Sequence, residues 1–400
     1  MPPSAPASTA DPRRLRLLFV VESGTDVRLV DGLAQRFTLR LLARTIGGGG
    51  REVSQAPAKP VDMERGPRSR WRFAALVIRR LWSWRAQERP DLVLTQGYGV
   101  AALACQLARR FLGGPPVVLL VCSPVEEYYR CRRDQPTVGG SRYRALEFFG
   151  LRALAKLNAW LGGDCVVLSA HLAGVVRSHG GSRRRSLHEI PLYGVDTTIF
   201  HPPAGDETKT ARKAARGLPA TGAVIFFSSR IAPEKDAETL LRAFAARIQA
   251  GDDLWLLHRS GGWREFLRAA ETAGVAARVI ATDAVFPGAE LAADYRACDL
   301  VVQASRAEGL GFSVLEAFAC AVPVVATAVG GLRETVRDGG TGWTYPPGDA
   351  TALATALEAA LSDPAEAARR AENGRRMVAE KYAAERVFAD FAELAAKLAR

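Results

Sequence analysis

The chain has 400 residues, of which 48% are hydrophobic and 24% charged. That composition suits two globular domains and excludes a disordered chain. The formal net charge of +12 is uneven: residues 1–200 carry 30 Lys and Arg against 16 Asp and Glu, whereas residues 201–400 carry 24 against 26. The basic first half therefore points to an anionic partner on that side: a membrane surface, nucleic acid or an acidic substrate. No apolar run approaches the roughly 20 residues of a membrane-spanning helix.

In chain order, Met1–Pro12 is rich in Ala, Pro, Ser and Thr and reads as a floppy tail without the apolar stretch of a secretory signal, so a cytoplasmic protein is expected. Leu15–Val21 reads as a buried strand, Glu22-Ser23-Gly24 as a turn, Val27–Phe37 as a helix and Leu39–Ala43 as the next strand. The run Gly47–Gly50 opens no helix and reads as a loop. Arg68–Arg85 has helical spacing, with Arg68, Arg72, Arg79 and Arg80 on one sector and Trp71, Ala75, Ile78 and Trp82 on another. Two readings stand: a covering helix with that Trp-bearing stripe on the sheet, or a membrane-interface helix. Asp91–Thr95, Val117–Cys122 and Asp164–Ser169 are further buried strands. Apolar runs without alternation suit parallel strands covered on both faces.

Pro191, Pro202 and Pro203 mark Ile190–Glu207 as a linker. The rhythm restarts with strands at Ala223–Ser228, Asp253–His258, Val279–Ala281, Asp299–Gln303 and Pro323–Thr327. Helices are expected at Asp236–Gln249, Leu291–Ala297, Ser313–Ala321 and Thr351–Leu361, and Ala365–Arg400 reads as one helical segment. The six cysteines form no Cys-x-x-Cys pair, and all five histidines lie at or after His171. Neither a disulfide framework nor a zinc site is expected. The fold class is α/β, two doubly wound domains facing across a cleft. The expected boundaries are 1–12 tail, 13–195 first domain, 196–375 second domain, and 376–400 a helix returning toward the first domain.

Two loops carry the chemistry. Glu308-Gly309-Leu310-Gly311-Phe312-Ser313 follows a buried strand and opens a helix, whose free N–H groups and dipole suit a phosphate. Gly309 and Gly311 let backbone approach a ligand, and Glu308 and Glu316 suit sugar hydroxyls better than phosphate. Glu316 lies among Val314, Leu315, Ala317 and Phe318, where an unpaired charge would be costly. Ser229-Arg230-Ile231-Ala232-Pro233-Glu234-Lys235 follows another strand, and its two cations suit a diphosphate. Both loops leave the C-terminal ends of parallel strands, where open α/β sheets bind ligands.

These loops resemble those of glycosyltransferase family 4, the retaining enzymes of GT-B fold. Ile190-Pro191-Leu192-Tyr193-Gly194-Val195-Asp196, Pro323-Val324-Val325-Ala326-Thr327 through Gly330-Gly331 and Glu334, and Thr341-Gly342 to Gly348-Asp349 resemble it further, so the likeness covers roughly residues 165–400. It implies transfer of a sugar from a nucleoside diphosphate donor, such as a UDP- or GDP-sugar, to a hydroxyl of a glycan, lipid-linked or small-molecule acceptor. No metal and no cofactor are implied. By this resemblance Arg230, Lys235 and Glu308 are catalytic. The donor site comprises these three with Gly309, Leu310, Gly311, Phe312, Ser313, Glu316 and Gly24. Ser123, Glu126 and Glu127 are acceptor-side candidates. An anionic or lipid-linked acceptor and peripheral contact with the inner membrane face are expected of the basic half, and no nucleic-acid partner. Many family members place a histidine after a first-domain strand, whereas Val121–Tyr129 contains none. That departure keeps open a non-catalytic sugar-nucleotide-binding subunit, and Glu126 or Glu127 as acid and base of a sugar-nucleotide epimerase.

Overall fold

The computed structural model describes residues 14–44, 61–84, 89–134, 144–180, 185–205, 207–283 and 288–400. The expected tail and the run Gly47–Gly50 lie outside the described residues. Seven parallel strands, β1 (Arg16–Val21), β2 (Thr38–Arg44), β3 (Asp62–Gly66), β4 (Leu92–Gln96), β5 (Val117–Val121), β6 (Gly163–Val167) and β7 (Arg185–Glu189), form the first sheet. Their order is β3-β2-β1-β4-β5-β6-β7. Six more, β8 (Ala223–Phe227), β9 (Leu254–Arg259), β10 (Val279–Thr282), β11 (Leu300–Gln303), β12 (Val324–Thr327) and β13 (Trp343–Tyr345), form the second sheet in the order β10-β9-β8-β11-β12-β13. The central strands are buried on both faces, which is why they read as unbroken apolar runs. Phe19 pairs with Leu41 on one side and Leu94 on the other, and Phe226 pairs with Leu257 and Val301.

Each sheet reverses its strand order once, at β1/β4 and at β8/β11. A crevice opens beyond the strand ends at such a reversal. The loops after β8 and β11 carry Arg230, Lys235 and Glu308, so topology alone brings those segments side by side.

Two sequence expectations are corrected. The helix Arg70–Ser83 does cover the sheet, but it buries Phe73, Ala74, Val77 and Leu81 and leaves Trp71 and Trp82 outside. The segment after residue 363 is two helices, Pro364–Met377 and Ala384–Leu398, joined by a π-helical turn at Val378–Tyr382. The turn lets Val195 pair with the returning chain: its N–H donates to Tyr382 O at 2.7 Å, and its carbonyl accepts from Ala384 N at 2.9 Å. The last helix lies on the helix Val27–Arg36. Phe388 occupies the space that a Cβ at Gly32 would need, and Phe391 meets Phe37 edge-on at 5.7 Å.

His258 on β9 is fully buried between Phe227 and Phe266, with its Nδ1 2.8 Å from the Phe227 carbonyl. Burial holds it down at about 4, the carbonyl bond opposing. The unfolded chain, with histidine near 6.5, therefore binds a proton that the folded chain refuses between about pH 6.5 and pH 4. The stability tied to neutral His258 is complete above that window and lost as pH falls through it. In thermal unfolding followed across this range, His258→Phe is expected to flatten the acid slope by up to one proton.

Candidate functional site

The loop after β8 is built on one short turn and a helix cap. Pro233–Lys235 forms a single 3-10 turn, and Asp236, at φ 45°, caps the helix Ala237–Gln249 through Thr239. Arg230 is ion-paired with Glu234, whose side chain is wholly buried while the arginine stays partly exposed. The pair is therefore a buried anchor that aims a guanidinium, not two solvated surface charges. Lys235 is ion-paired with Glu308 across the gap between the two loops.

The loop after β11 is organised by Gln303, the last residue of that strand. Its Nε2 donates to Ser305 Oγ at 2.8 Å and to Glu308 Oε2 at 3.1 Å, and its Oε1 accepts from Ser229 at 3.2 Å and Ser313 at 2.9 Å. Glu308 also accepts from Ser305 Oγ at 3.1 Å and from Gly309 N at 3.2 Å. The turn Gly330-Gly331 packs directly on this loop. A Cβ at Gly331 would stand 2.2 Å from Gly309 O, and one at Gly330 would stand 2.1 Å from Glu308 O. Gly311, at φ 90°, starts the helix Phe312–Ala319, and no side chain caps that start. Its leading N–H groups are left for a ligand.

Glu316 lies one turn into this helix and is buried. Its Oε1 accepts from Arg28 Nη1 at 2.5 Å and its Oε2 from Tyr295 OH at 3.0 Å. Burial raises the Glu316 carboxyl, with Arg28 opposing. Arg28 feels the same burial, but Glu316 and Asp26 outweigh it and raise its pKa. Arg28 also holds Asp26, Nη2 to Oδ2 at 2.7 Å, so one arginine of the first domain ties two carboxylates together across the cleft. Three further contacts fasten the domains. Ser169 Oγ donates to Gly309 O at 2.6 Å, and Glu334 accepts from Ala170 N at 3.1 Å and His171 N at 2.8 Å.

Between the domains lies a cavity of about 380 Å³. Arg230, Lys235, Glu308, Leu310, Gly311 and Phe312 line it from the second domain. Asp26, Arg28, Cys122, Ser123 and Tyr128 face them from the first, with Tyr193 from the linker. Tyr193 holds a strained φ of 132°, and its ring meets Phe312 at 5.2 Å. Burial, then the charges of Glu308 and Glu234, push the Tyr128 phenol well up, so it is neutral at physiological pH. Burial likewise pushes the Cys122 thiol up to about 12, which makes it a poor nucleophile. Cations, leading amides and a hydroxyl-lined opposite wall can hold a diphosphate and read a sugar.

The structure gathers most of the sequence candidates but not all. Gly309 supports the loop against Cys122 O, 2.6 Å from where its Cβ would stand, and Ser313 is held by Gln303. Gly24 is a left-handed turn residue at φ 60° and is not among the cavity-lining residues. Glu126 lies 2.8 Å from His179 Nε2, and Glu127 lies 3.1 Å from His171 Nε2; neither lines the cavity. The helix Val125–Asp134 turns about 100° per residue, so its cavity-facing position is Tyr128, two residues past Glu126. Asp26, Arg28, Tyr128, Tyr193, Gln303 and Tyr295 were missed. Asp26 carried one usable signal, since it is the N-cap of Val27–Arg36 at the cleft end of β1. Among the described residues no group of three or more His, Cys, Asp or Glu is placed to hold a metal ion.

Two parallel-sheet α/β domains meeting at such a cleft constitute the GT-B fold. The family model "Glycosyl transferases group 1" matches residues 208–377. The chain is 38% identical over 200 residues to D-inositol 3-phosphate glycosyltransferase of Salinispora arenicola, covering 47% of this chain and 45% of that one. It is 30% identical over 370 residues to 2-deoxystreptamine N-acetyl-D-glucosaminyltransferase of Streptomyces fradiae, covering 84% and 81%. The crystal structure of Anabaena Alr3699/HepE in complex with UDP-glucose superposes with a TM-score of 0.75 at 18% identity, over 96% of this chain and 100% of that one. The chain spans less than half the length of the inositol phosphate relatives that it matches. It belongs to the group 1 glycosyltransferases.

Proposed function

We propose that the protein is a retaining glycosyltransferase that moves a sugar from a nucleoside diphosphate to a hydroxyl acceptor without a metal. One observation carries the reading: Arg230, Lys235, Glu308 and the uncapped start of Phe312–Ala319 line a single cavity at the switch point of the second sheet. The two cations and the helix amides would take the diphosphate charge, Glu308 a sugar hydroxyl, and Glu316 the ribose. Preorganised charge of this kind stabilises a leaving group without a metal ion. The acceptor hydroxyl would attack C1 from the face that the diphosphate leaves. A C1–O bond to the acceptor forms, the C1–O bond to phosphate breaks, and the leaving phosphate oxygen receives the acceptor proton. No enzyme nucleophile is required, which accords with the neutral Cys122.

The first domain supplies the acceptor wall. Ser123 and the neutral Tyr128 offer hydroxyls opposite Glu308, and the basic balance of residues 1–200 favours an anionic or lipid-linked acceptor. The names of the two relatives add inositol 3-phosphate and 2-deoxystreptamine as acceptor chemistries to try. The binding test is thermal unfolding with UDP-, GDP- and ADP-sugars. A true donor at 100 times its Kd is expected to add about 2.7 kcal/mol of stability. The catalytic test is nucleoside diphosphate release with an inositol phosphate, an aminocyclitol and a lipid-linked acceptor. A donor that binds yet yields no transfer across the panel, or is converted without acceptor into a different sugar nucleotide, would refute the reading.

A further inference from the structure

The helices Arg70–Ser83, Val100–Leu112 and Ala145–Leu161 lie side by side on one face of the first sheet. Their inner surfaces share a core with β1, β2, β4 and β5, built on Phe73, Val77, Ala104 and Cys105, with Leu154 against its edge. A buried hydrogen bond from Gln106 Nε2 to Asn158 Oδ1, 3.0 Å, locks the second helix to the third.

Their outer surface is unlike the rest of the molecule. Trp71 is 72% exposed and Phe111 75%, with Trp82 and Leu112 beside them. The third helix adds Leu146 at 88% and Trp160 at 62%, with Phe149 and Leu157 between. Of the large apolar side chains exposed among the described residues, only Met63, on the neighbouring edge strand β3, lies elsewhere, and none lies in the second domain. The same three helices carry eight Lys and Arg against one carboxylate, Glu147. Arg72, Arg79, Arg109, Arg110, Arg152 and Lys156 are exposed among the aromatic and aliphatic groups.

We infer that this three-helix face docks the protein on an anionic lipid bilayer. Isolated exposed hydrophobes are ordinary, but a concentration on one face with a basic surround is not. Tryptophan at the headgroup level and arginine near anionic headgroups each find their preferred surroundings there. A second copy of the chain is a poor occupant, because a two-fold contact would set arginines against arginines. Among the described residues no helix is long and apolar enough to cross a membrane, so the contact is interfacial. At one end of the face, Tyr129 OH reaches Glu147 at 3.0 Å, and Tyr129 follows the cavity-lining Tyr128. A docked bilayer therefore lies beside the mouth of the cleft.

The test is flotation of the full-length protein with phosphatidylcholine vesicles, with and without roughly 30% phosphatidylglycerol, at two salt concentrations. The protein is expected to float with the anionic vesicles, less at high salt. Arg79→Ala with Arg110→Ala is expected to weaken partitioning roughly fivefold per arginine. Trp71→Ser with Trp160→Ser is expected to reduce the bound fraction on the same vesicles. These variants are expected to keep the wild-type thermal midpoint and donor-induced shift, which separates this inference from the donor reading. Failure of the wild type to float overturns it. So does undiminished binding by both variants, or a lipid-free dimer that the tryptophan substitutions dissociate.

Discussion

Lys235→Ala is expected to lower turnover by about 10²–10³-fold, the usual consequence of removing one preorganised donor from a developing anion. The protein should remain folded. Glu308 keeps three other donors, Gln303 Nε2, Ser305 Oγ and Gly309 N, and it borders an open cavity that admits water. Affinity for the free nucleoside diphosphate should fall as well, because the ammonium would meet the phosphates in ground and transition states alike. Glu308→Ala is expected to be equally inactive for a different reason. It removes the group proposed to read the sugar and frees Lys235 from its ion pair. Its affinity for the nucleoside diphosphate alone should therefore be kept or strengthened, while affinity for the intact donor falls. Single-turnover transfer and calorimetric binding of both ligands check these outcomes. Wild-type turnover in either variant would remove the assignment of this cavity as the active site.

Arg28→Ala carries the largest expected effect on stability. It leaves Glu316 buried with Tyr295 as its remaining partner, and breaking a buried pair from one side costs about 3–5 kcal/mol. Arg28 retains some exposure to the cavity, so the lower end, about 3 kcal/mol, is expected. The pH dependence has a definite sign. A carboxyl held above its unfolded value of about 4.3 favours the folded state below that pH and loses the advantage as pH rises through its folded value. Without the arginine this loss grows, so the variant should lie closest to wild type in acid and furthest above neutrality. Thermal unfolding from pH 4 to pH 8 measures it; a pH-independent difference would place the energy in packing instead of charge. The same arginine occupies the carboxylate proposed for the ribose, so donor and Arg28 share Glu316 or exchange places on it.

The loops after β8 and β11 were legible because each is one short stretch set in a regular frame. A buried strand fixes where Ser229 or Ala304 emerges, and the helix that follows fixes the direction of the next amides. Spacing along the chain then stands for distance in space. The edge strands β3 and β7 were missed for the opposite reason, and β13, Trp-Thr-Tyr, because three residues are too few to show a period. Asp62–Gly66 and Arg185–Glu189 are polar, since an edge strand is not enclosed on both sides and needs no apolar run.

Sequence alone determined the two wound domains, the switch-point loops and the residue types gathered on the second-domain wall of the cavity. Each follows from local hydrophobic periodicity or from groups a few residues apart. Tertiary structure alone decided most of the opposite wall. Asp26, Arg28, Tyr128 and Tyr193 come from separate segments and converge beside Ser123, the one residue of that wall already named from sequence, because the domains dock. Helical phase chose Tyr128 over Glu126. The choice of Phe73 over Trp71 was likewise tertiary: both flanks of that helix are apolar, and only the shape of the sheet beneath settles which one is buried.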